Sequence, residues 1–448
     1  MNNSYYNGLT GEIITPCDEQ YDEARQEYNR SIQKFPNVIV YCYNKTDVIN
    51  AICWAQEKCT GIRIRSGRHN YEGYSVGDNV LVIDISRMNK LKLDRKRNVL
   101  KIDGGVINSQ IYELLGNEGY PFPSGTCPTV GAAGLTLGGG WGLSCRYFGL
   151  ACDNLLSLEI IDYEGNSIIA NENQNSDLFW ACRGSGGGNF GVVISMTFKV
   201  PEKVNKVCLI KLNCPNATKE MMSEFLCIWQ NWLIDLDEKI TVVSRLFNTK
   251  EEGKVIRGTG IFYGVPEEAF EIMNPFTDIE GMEICIEYIT FLEAIEDIES
   301  VYPDSEKFKT TGRFVNRNYN NDEINNIVGL VQDRPRGSII SGLSLYALGG
   351  KVKNINKYET AFYYRNAKYI IAIQSEWENP IYKEDNINWV KDRFKYLKSV
   401  TKGSYVNFPY SNLKNYDKEY YGENVCRLKE VNQKYDPCNV FKFEQSIN

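Results

Sequence analysis

Histidine is almost missing from this sequence: the chain has 448 residues and one of them, His69, is a histidine. That excludes a zinc site built on clustered Cys and His ligands, and with it most acid–base schemes that need two imidazoles. Paired cysteines are missing too. The 14 cysteines are scattered from Cys17 to Cys438 with no CxxC spacing, so the expectation is free thiols in a reducing cytoplasm rather than a disulfide framework. No apolar run approaches the roughly 18 residues that cross a bilayer. The first residues are polar and carry Asp18 and Glu19, unlike a secretory signal. Runs of Lys and Arg interleaved with aromatics are lacking and the net charge is −7, which argues against a polynucleotide partner. What is left is an expected cytoplasmic monomer or homodimer acting on a small molecule, with no metal and no membrane.

The composition is otherwise that of a folded enzyme, 43% hydrophobic and 24% charged, with length for two or three domains. Tyrosine stands out at 29 residues. That fits either a broad sheet faced with Tyr or a site where rings stack.

The pattern along the chain is α+β. The β-rich run Val38–Tyr43 leads through Asn44, a helix-start residue, into a helical spacing over 48–58, and a strand follows at Ile62–Arg65, a β-α-β unit. Further strands are predicted at Val80–Ile85, Val99–Gly104 and Val192–Val200, a helix at Ser109–Glu118 ended by Gly119, and a hairpin turning on Glu164-Gly165-Asn166. Beyond Pro201, six strands (Cys208–Leu212, Thr241–Phe247, Ile256–Tyr263, Glu283–Tyr288, Ile339–Leu348 and Tyr369–Trp377) alternate with amphipathic helices. They suggest one antiparallel sheet backed by helices. A last helix is predicted over Tyr416–Lys434.

Two glycine-dense stretches, 125–149 and 184–191, carry the first functional signal. Gly186 to Gly191 fits GxGxxG, but a helix precedes it and a strand follows. A Rossmann site needs the reverse order, so that a helix N-terminus meets the pyrophosphate. Glycine loops still let backbone N–H groups close on phosphate, and two of them, with a cysteine and the only histidine nearby, point to a bulky diphosphate cofactor.

The motifs resemble those of the berberine-bridge-enzyme-like flavoenzymes. Arg65-Ser66-Gly67-Arg68-His69-Asn70-Tyr71 is similar to the family's pyrophosphate loop, and Cys127-Pro128-Thr129-Val130-Gly131 to its second attachment motif. Gly134, the run Gly138-Gly139-Gly140-Trp141-Gly142, then Arg146-Tyr147 and Asp153-Asn154 match the segment that follows. Phe179 through Asn189, Gly191 and Val193 resemble a further FAD-contact loop, and Tyr420-Tyr421-Gly422-Glu423-Asn424 with Asp436-Pro437 the C-terminal signature. The resemblance implies FAD bonded twice, by His69 to the flavin 8α carbon and by Cys127 to C6. It implies the vanillyl-alcohol-oxidase fold: a PCMH-type FAD-binding domain of two subdomains over 1–203, an antiparallel-sheet substrate domain over 204–404, and a segment over 405–448 returning to the first.

For chemistry, the resemblance implies an oxidase of a hydroxyl group on a sugar, oligosaccharide, or small aromatic or polyketide metabolite, with oxygen as acceptor and peroxide as product. The rivals are a dehydrogenase with another acceptor and a flavin-binding protein without turnover. Val130, a small aliphatic residue near the flavin, resembles the oxidase form. A reactive Cys127 would need thiolate character. A base must take the hydroxyl proton, yet the positions of the family's usual Glu and Tyr hold Ile370 and Phe408. Tyr346 is the best remaining candidate, with Tyr71 facing the substrate, Gln374 on the strand face of Ile370, and Tyr405 and Tyr410 flanking the changed motif.

Overall fold

Val38, Ile39 and Val40 are fully buried, as expected of a strand whose two faces are both covered. In the computed structural model, which describes residues 3–448, that strand is β2 (Val38–Tyr41). It joins β1 (Glu12–Ile14), β3 (Ile62–Arg65) and β4 (Leu81–Asp84) in a sheet ordered β1-β2-β4-β3. The β-α-β unit expected at its centre exists, but β4 lies between β2 and β3, parallel to both. The helix Lys45–Glu57 between them starts at Asn44, whose side chain accepts from Thr46 N at 2.9 Å and Asp47 N at 3.2 Å.

A second sheet takes β5 (Leu91–Asp94), β6 (Val99–Asp103), β7 (Leu155–Ile161), β8 (Ser167–Asn171) and β9 (Val192–Lys199) in the order β5-β6-β9-β7-β8. The hairpin predicted at Gly165 joins β7 to β8. The third sheet has seven antiparallel strands: β10 (Val207–Cys214), β11 (Ile240–Thr249), β12 (Gly253–Phe262), β13 (Glu283–Ile289), β14 (Phe308–Val315), β15 (Ser338–Ala347) and β16 (Tyr369–Trp377), ordered β13-β10-β12-β11-β15-β16-β14. Helices Lys219–Trp232, Asn321–Gly329 and Lys383–Val400 back it.

Two elements correct the sequence reading. β14 is a fully buried strand that its polar sequence conceals, because Lys309 pairs with Glu72 and Arg313 with Glu419. The single C-terminal helix is two, Tyr416–Tyr421 and Val425–Tyr435, broken where Gly422 takes φ +54° with the Tyr363 ring packed against its Cα. No helix among the described residues is long and apolar enough to cross a membrane.

The sheets are tied together by buried charge. Arg146 donates from Nε to Ile240 O at 2.8 Å and from Nη1 to Leu348 O, reaching β11 and the end of β15. Arg365 makes a bidentate pair with Asp153 at 2.7 and 2.8 Å, with both side chains buried. Replacing Asp153 with Asn strands that guanidinium, and removing one partner of a buried pair costs about 3–5 kcal/mol. Asp153→Asn should therefore lower the urea midpoint accordingly; a loss below about 1 kcal/mol, typical of a surface pair, would contradict this account.

Candidate active site

The loop after β3 and the loop before the helix Ala132–Leu137 cross at two glycines. A Cβ on Gly67 would stand 2.1 Å from Gly131 N, and one on Gly131 would stand 2.6 Å from Ser66 Oγ, so neither position admits a side chain. The second loop is pinned by Asn108, whose Nδ2 donates to Cys127 O at 3.0 Å. The crossing brings His69 Nε2 to 2.7 Å from Thr129 Oγ1 and Cys127 Sγ to 3.8 Å from the same hydroxyl. Tyr28 stacks on the His69 ring, centroids 4.1 Å apart.

Burial lowers the His69 pKa to about 4, so at neutral pH the ring has one N–H and one free lone pair. Cys127 is shifted the other way. Burial raises its pKa, Thr129 hydrogen bonds pull it down, and the Glu306 and Glu299 charges raise it again. It is held as a thiol, not a thiolate.

Facing these loops is one side of the seven-stranded sheet. Across the strands, Val243, Tyr346 and Ile370 stand in one row and Arg257, Arg245 and Ser344 in the next. Along β16, Ile370, Gln374 and Glu376 share a face by the period of two. Tyr346 meets Trp141 edge-on at 4.8 Å, and Phe408 lies between Tyr346 and a stacked Tyr71 at 5.2 and 5.4 Å. Ser344 Oγ donates to Gln374 Oε1 at 3.2 Å, and Gln374 Nε2 to Glu376 Oε1 at 2.9 Å. Burial and then the neighbouring Glu306 push Glu376 up to about 8, and burial raises Glu306 as well. Burial pushes Tyr346 up to about 12 against the pull of the Arg245 charge; Tyr71 goes higher.

Between loops and sheet lies a cavity of about 900 Å³. It is lined by Arg63 and Phe443, by Ser66–Asn70, Gly134 and Gly186–Asn189, and on the sheet side by Tyr346, Gln374 and Glu376. With this geometry the comparisons agree. A family model described as "FAD binding domain" matches residues 36–171, and one described as "Berberine and berberine like" matches residues 404–448. The FAD-linked oxidoreductase YgaK of Bacillus subtilis is 38% identical, covering 98% of this chain and 97% of its own. The chain belongs to the berberine-bridge-enzyme-like FAD-linked oxidoreductases. The fold is also that of BBE-like 1 from Physcomitrella patens, with TM-score 0.92 and 25% identity over 99% of this chain and 98% of that one. A chitooligosaccharide oxidase, 23% identical over 100% of this chain and 99% of that one, has TM-score 0.90 and so shares the fold.

The residues present fit the family's cofactor. A Cβ on Gly134 would meet nothing within 4 Å, and one on Gly187 nothing nearer than 3.6 Å, so both glycines leave cavity space open. Gly67, Arg68, His69 and Asn70 donate no backbone-to-backbone hydrogen bond among the described residues. Four successive free N–H groups, with Arg68 at φ +64°, form a cradle suited to a pyrophosphate. The C-terminal segment steadies the other glycine loop. Tyr421 OH donates to Ser185 O at 2.8 Å, Asn432 Nδ2 to Asn189 O at 3.0 Å, and Ile447 N to Asn189 Oδ1 at 3.0 Å.

Ser66, Gly67, Arg68, His69, Asn70, Tyr71, Cys127, Val130, Gly131, Gly134, Trp141, Asn189, Gly191, Val193, Tyr346, Gln374, Tyr405 and Tyr421 all line this cavity. Others stand behind it. Arg65 is sunk against Asp84 at 2.7 Å; Asn424 holds the carbonyls of Lys357, Thr360 and Ala361; Tyr410 packs on Phe394. Gly138, Gly139, Gly140 and Gly142 form a tight turn supporting Trp141, with Asn407, Phe362, Ala151 and Ser124 against them. The Tyr405 hydroxyl lies 3.1 and 3.2 Å from Gly140 N and Trp141 N, accepting from both, which leaves it a strut. Sequence reading missed Thr129, Tyr28, Tyr302, Arg245, Glu306 and Glu376. Glu376 alone had a signal, two residues past Gln374 on a predicted strand.

The acid pair makes stability depend on pH. The folded pKa of Glu376 lies above its ordinary 4.5, at about 8, so its contribution is full below 4.5 and lost as pH rises through 8. The melting temperature should fall over that interval, and Glu376→Gln should flatten the fall. An unchanged profile in the variant would show that Glu376 does not titrate there.

Proposed function

We propose that this protein is an oxidase that removes hydride from a carbon bearing a hydroxyl, on a sugar, oligosaccharide, or small aromatic or polyketide compound, using FAD attached through His69 and Cys127. The observation that carries the attachment is the convergence of both side chains on the Thr129 hydroxyl inside a glycine-lined cavity. The neutral imidazole of His69 supports it, since a bonding nitrogen needs its lone pair. Bound FAD supplies hydride acceptance and reoxidation by oxygen to peroxide. The name of the chitooligosaccharide oxidase that shares this fold favours a sugar, and Val130 on the cavity wall, small beside the flavin site, favours oxygen as acceptor. In this reading residues 1–203 and 405–448 hold the cofactor and 204–404 the substrate.

The protein's own part is to orient the hydroxyl and take its proton. Ile370 and Phe408 offer no acceptor, and the Tyr405 hydroxyl is occupied. Tyr346 keeps its phenol in the cavity; burial raises it to about 12 against the pull of the Arg245 charge, so the phenolate able to take the proton grows as pH rises. We assign Tyr346 Oη as proton acceptor, with Tyr71 packing the substrate from the Phe408 side. General-base catalysis contributes about 10²–10⁴ in rate. Tyr346→Phe should slow anaerobic flavin reduction by at least about 100-fold in rapid mixing with a substrate found from a sugar and phenol panel. A near-normal rate would reject the assignment. Prompt reoxidation on mixing with air, with peroxide formed, is expected; reoxidation only by a quinone would make the enzyme a dehydrogenase.

A further inference from the structure

The sheet face over the cavity carries three cations on adjoining strands, and two of them are matched. Lys211 Nζ on β10 donates to Glu287 at 3.1 Å and Asp297 at 2.7 Å, and Arg257 Nη2 on β12 donates to the two Glu252 oxygens at 2.5 and 2.6 Å. Arg245 on β11 is different. Among the described residues it has no acid within 4.0 Å and no hydrogen-bond acceptor, although it lines the cavity and is half-buried. It stands directly opposite Arg257 in the ladder, and like charges so placed repel. None of the Arg245 nitrogens is sealed in the core, so its donors are open to an acceptor that enters the cavity.

Glu376 does not serve as its counter-ion. Had Arg245 neutralised that carboxylate, the carboxyl would be depressed; burial and Glu306 instead outweigh Arg245 and hold it at about 8. Ser344 stands opposite Arg245 on β15, and Thr259, Tyr302 and Tyr346 line the same cavity. Five N–H donors in a planar fork, unspent and beside hydroxyls, match a carboxylate bound bidentately. Position adds the geometry. Arg245 is two residues along β11 from Val243, the cross-strand partner of Tyr346, and two residues of strand span about 7 Å. Arg245 and Tyr346 therefore stand on one face of the sheet in neighbouring cross-strand rows, both on the cavity wall.

Resting on the oxidase reading of this cavity, we infer that Arg245 anchors a substrate carboxylate, so that the compound oxidised is a hydroxy acid such as a sugar acid or a hydroxymethyl-aromatic acid. The test is binding to the flavin-loaded enzyme, read without turnover from the perturbation of flavin absorbance and from thermal shift. The probes are matched pairs: D-glucuronate with D-glucose, and 4-(hydroxymethyl)benzoate with its methyl ester. The acidic member of at least one pair should bind tighter, and which pair responds separates the sugar from the aromatic source. A charge-assisted bidentate contact corresponds to about 10–100-fold in affinity. Arg245→Gln should weaken the acid by that factor and move its neutral partner by less than about 2-fold, with Arg245→Lys between. Equal binding of acid and neutral partner by the wild type, or carboxylate binding unchanged in Arg245→Gln, would overturn the inference. Carboxylate binding through Arg245 with no flavin reduction by any of the four probes would uphold the anchor and count against the oxidase reading instead.

Discussion

The site depends on two backbones passing closer than any side chain allows. With Gly67 against Gly131, the loop carrying His69 and the loop carrying Cys127 become one surface, and Thr129 stands between the two. A Cβ at either glycine would push the loops apart, because the opposing atoms are backbone or a short side chain that cannot swing away. The crossing brings the only histidine of the sequence within hydrogen-bond distance of Thr129. The same loop, with its run of free N–H groups, presents the cradle expected to hold phosphates. One close approach thus serves both ends of a long cofactor.

The opposite wall follows a different rule. Its strands are held by core packing on the helix side, which leaves the cavity side to carry polar groups that packing alone would disfavour. Glu306 adds to the burial that raises Glu376, burial raises Glu306 itself, and Arg245 has no protein acceptor among the described residues. Groups of this kind are uncommon inside proteins unless something outside the chain completes them. All three line the cavity.

Much of this was legible in the sequence, and the exceptions have physical causes. Helices announced by Asn44 or ended near Gly119, and strands with apolar alternation such as β11, were readable because local preference and tertiary role agree. β14 was not, because Lys309, Thr310, Thr311 and Arg313 look solvated until their partners Glu72 and Glu419 are brought in from other segments. The two loops that cross at Gly67 and Gly131 were readable through motif order. Tyr28 and Thr129 could not be, since their roles come from contacts made only in three dimensions. Tyr405, Tyr410 and Asn424 illustrate the reverse: motif neighbours whose polar groups or rings hold other loops. A reactive Cys127 asks for thiolate character, whereas burial and nearby acids outweigh the Thr129 hydrogen bonds and favour the thiol.

The most direct measurement is the intact mass of the purified protein after acid denaturation. The account predicts the polypeptide mass plus one FAD, retained when either His69 or Cys127 alone is replaced by Ala and lost when both are. A bare polypeptide mass for the wild type, with all the yellow colour left in the acid supernatant, would contradict it.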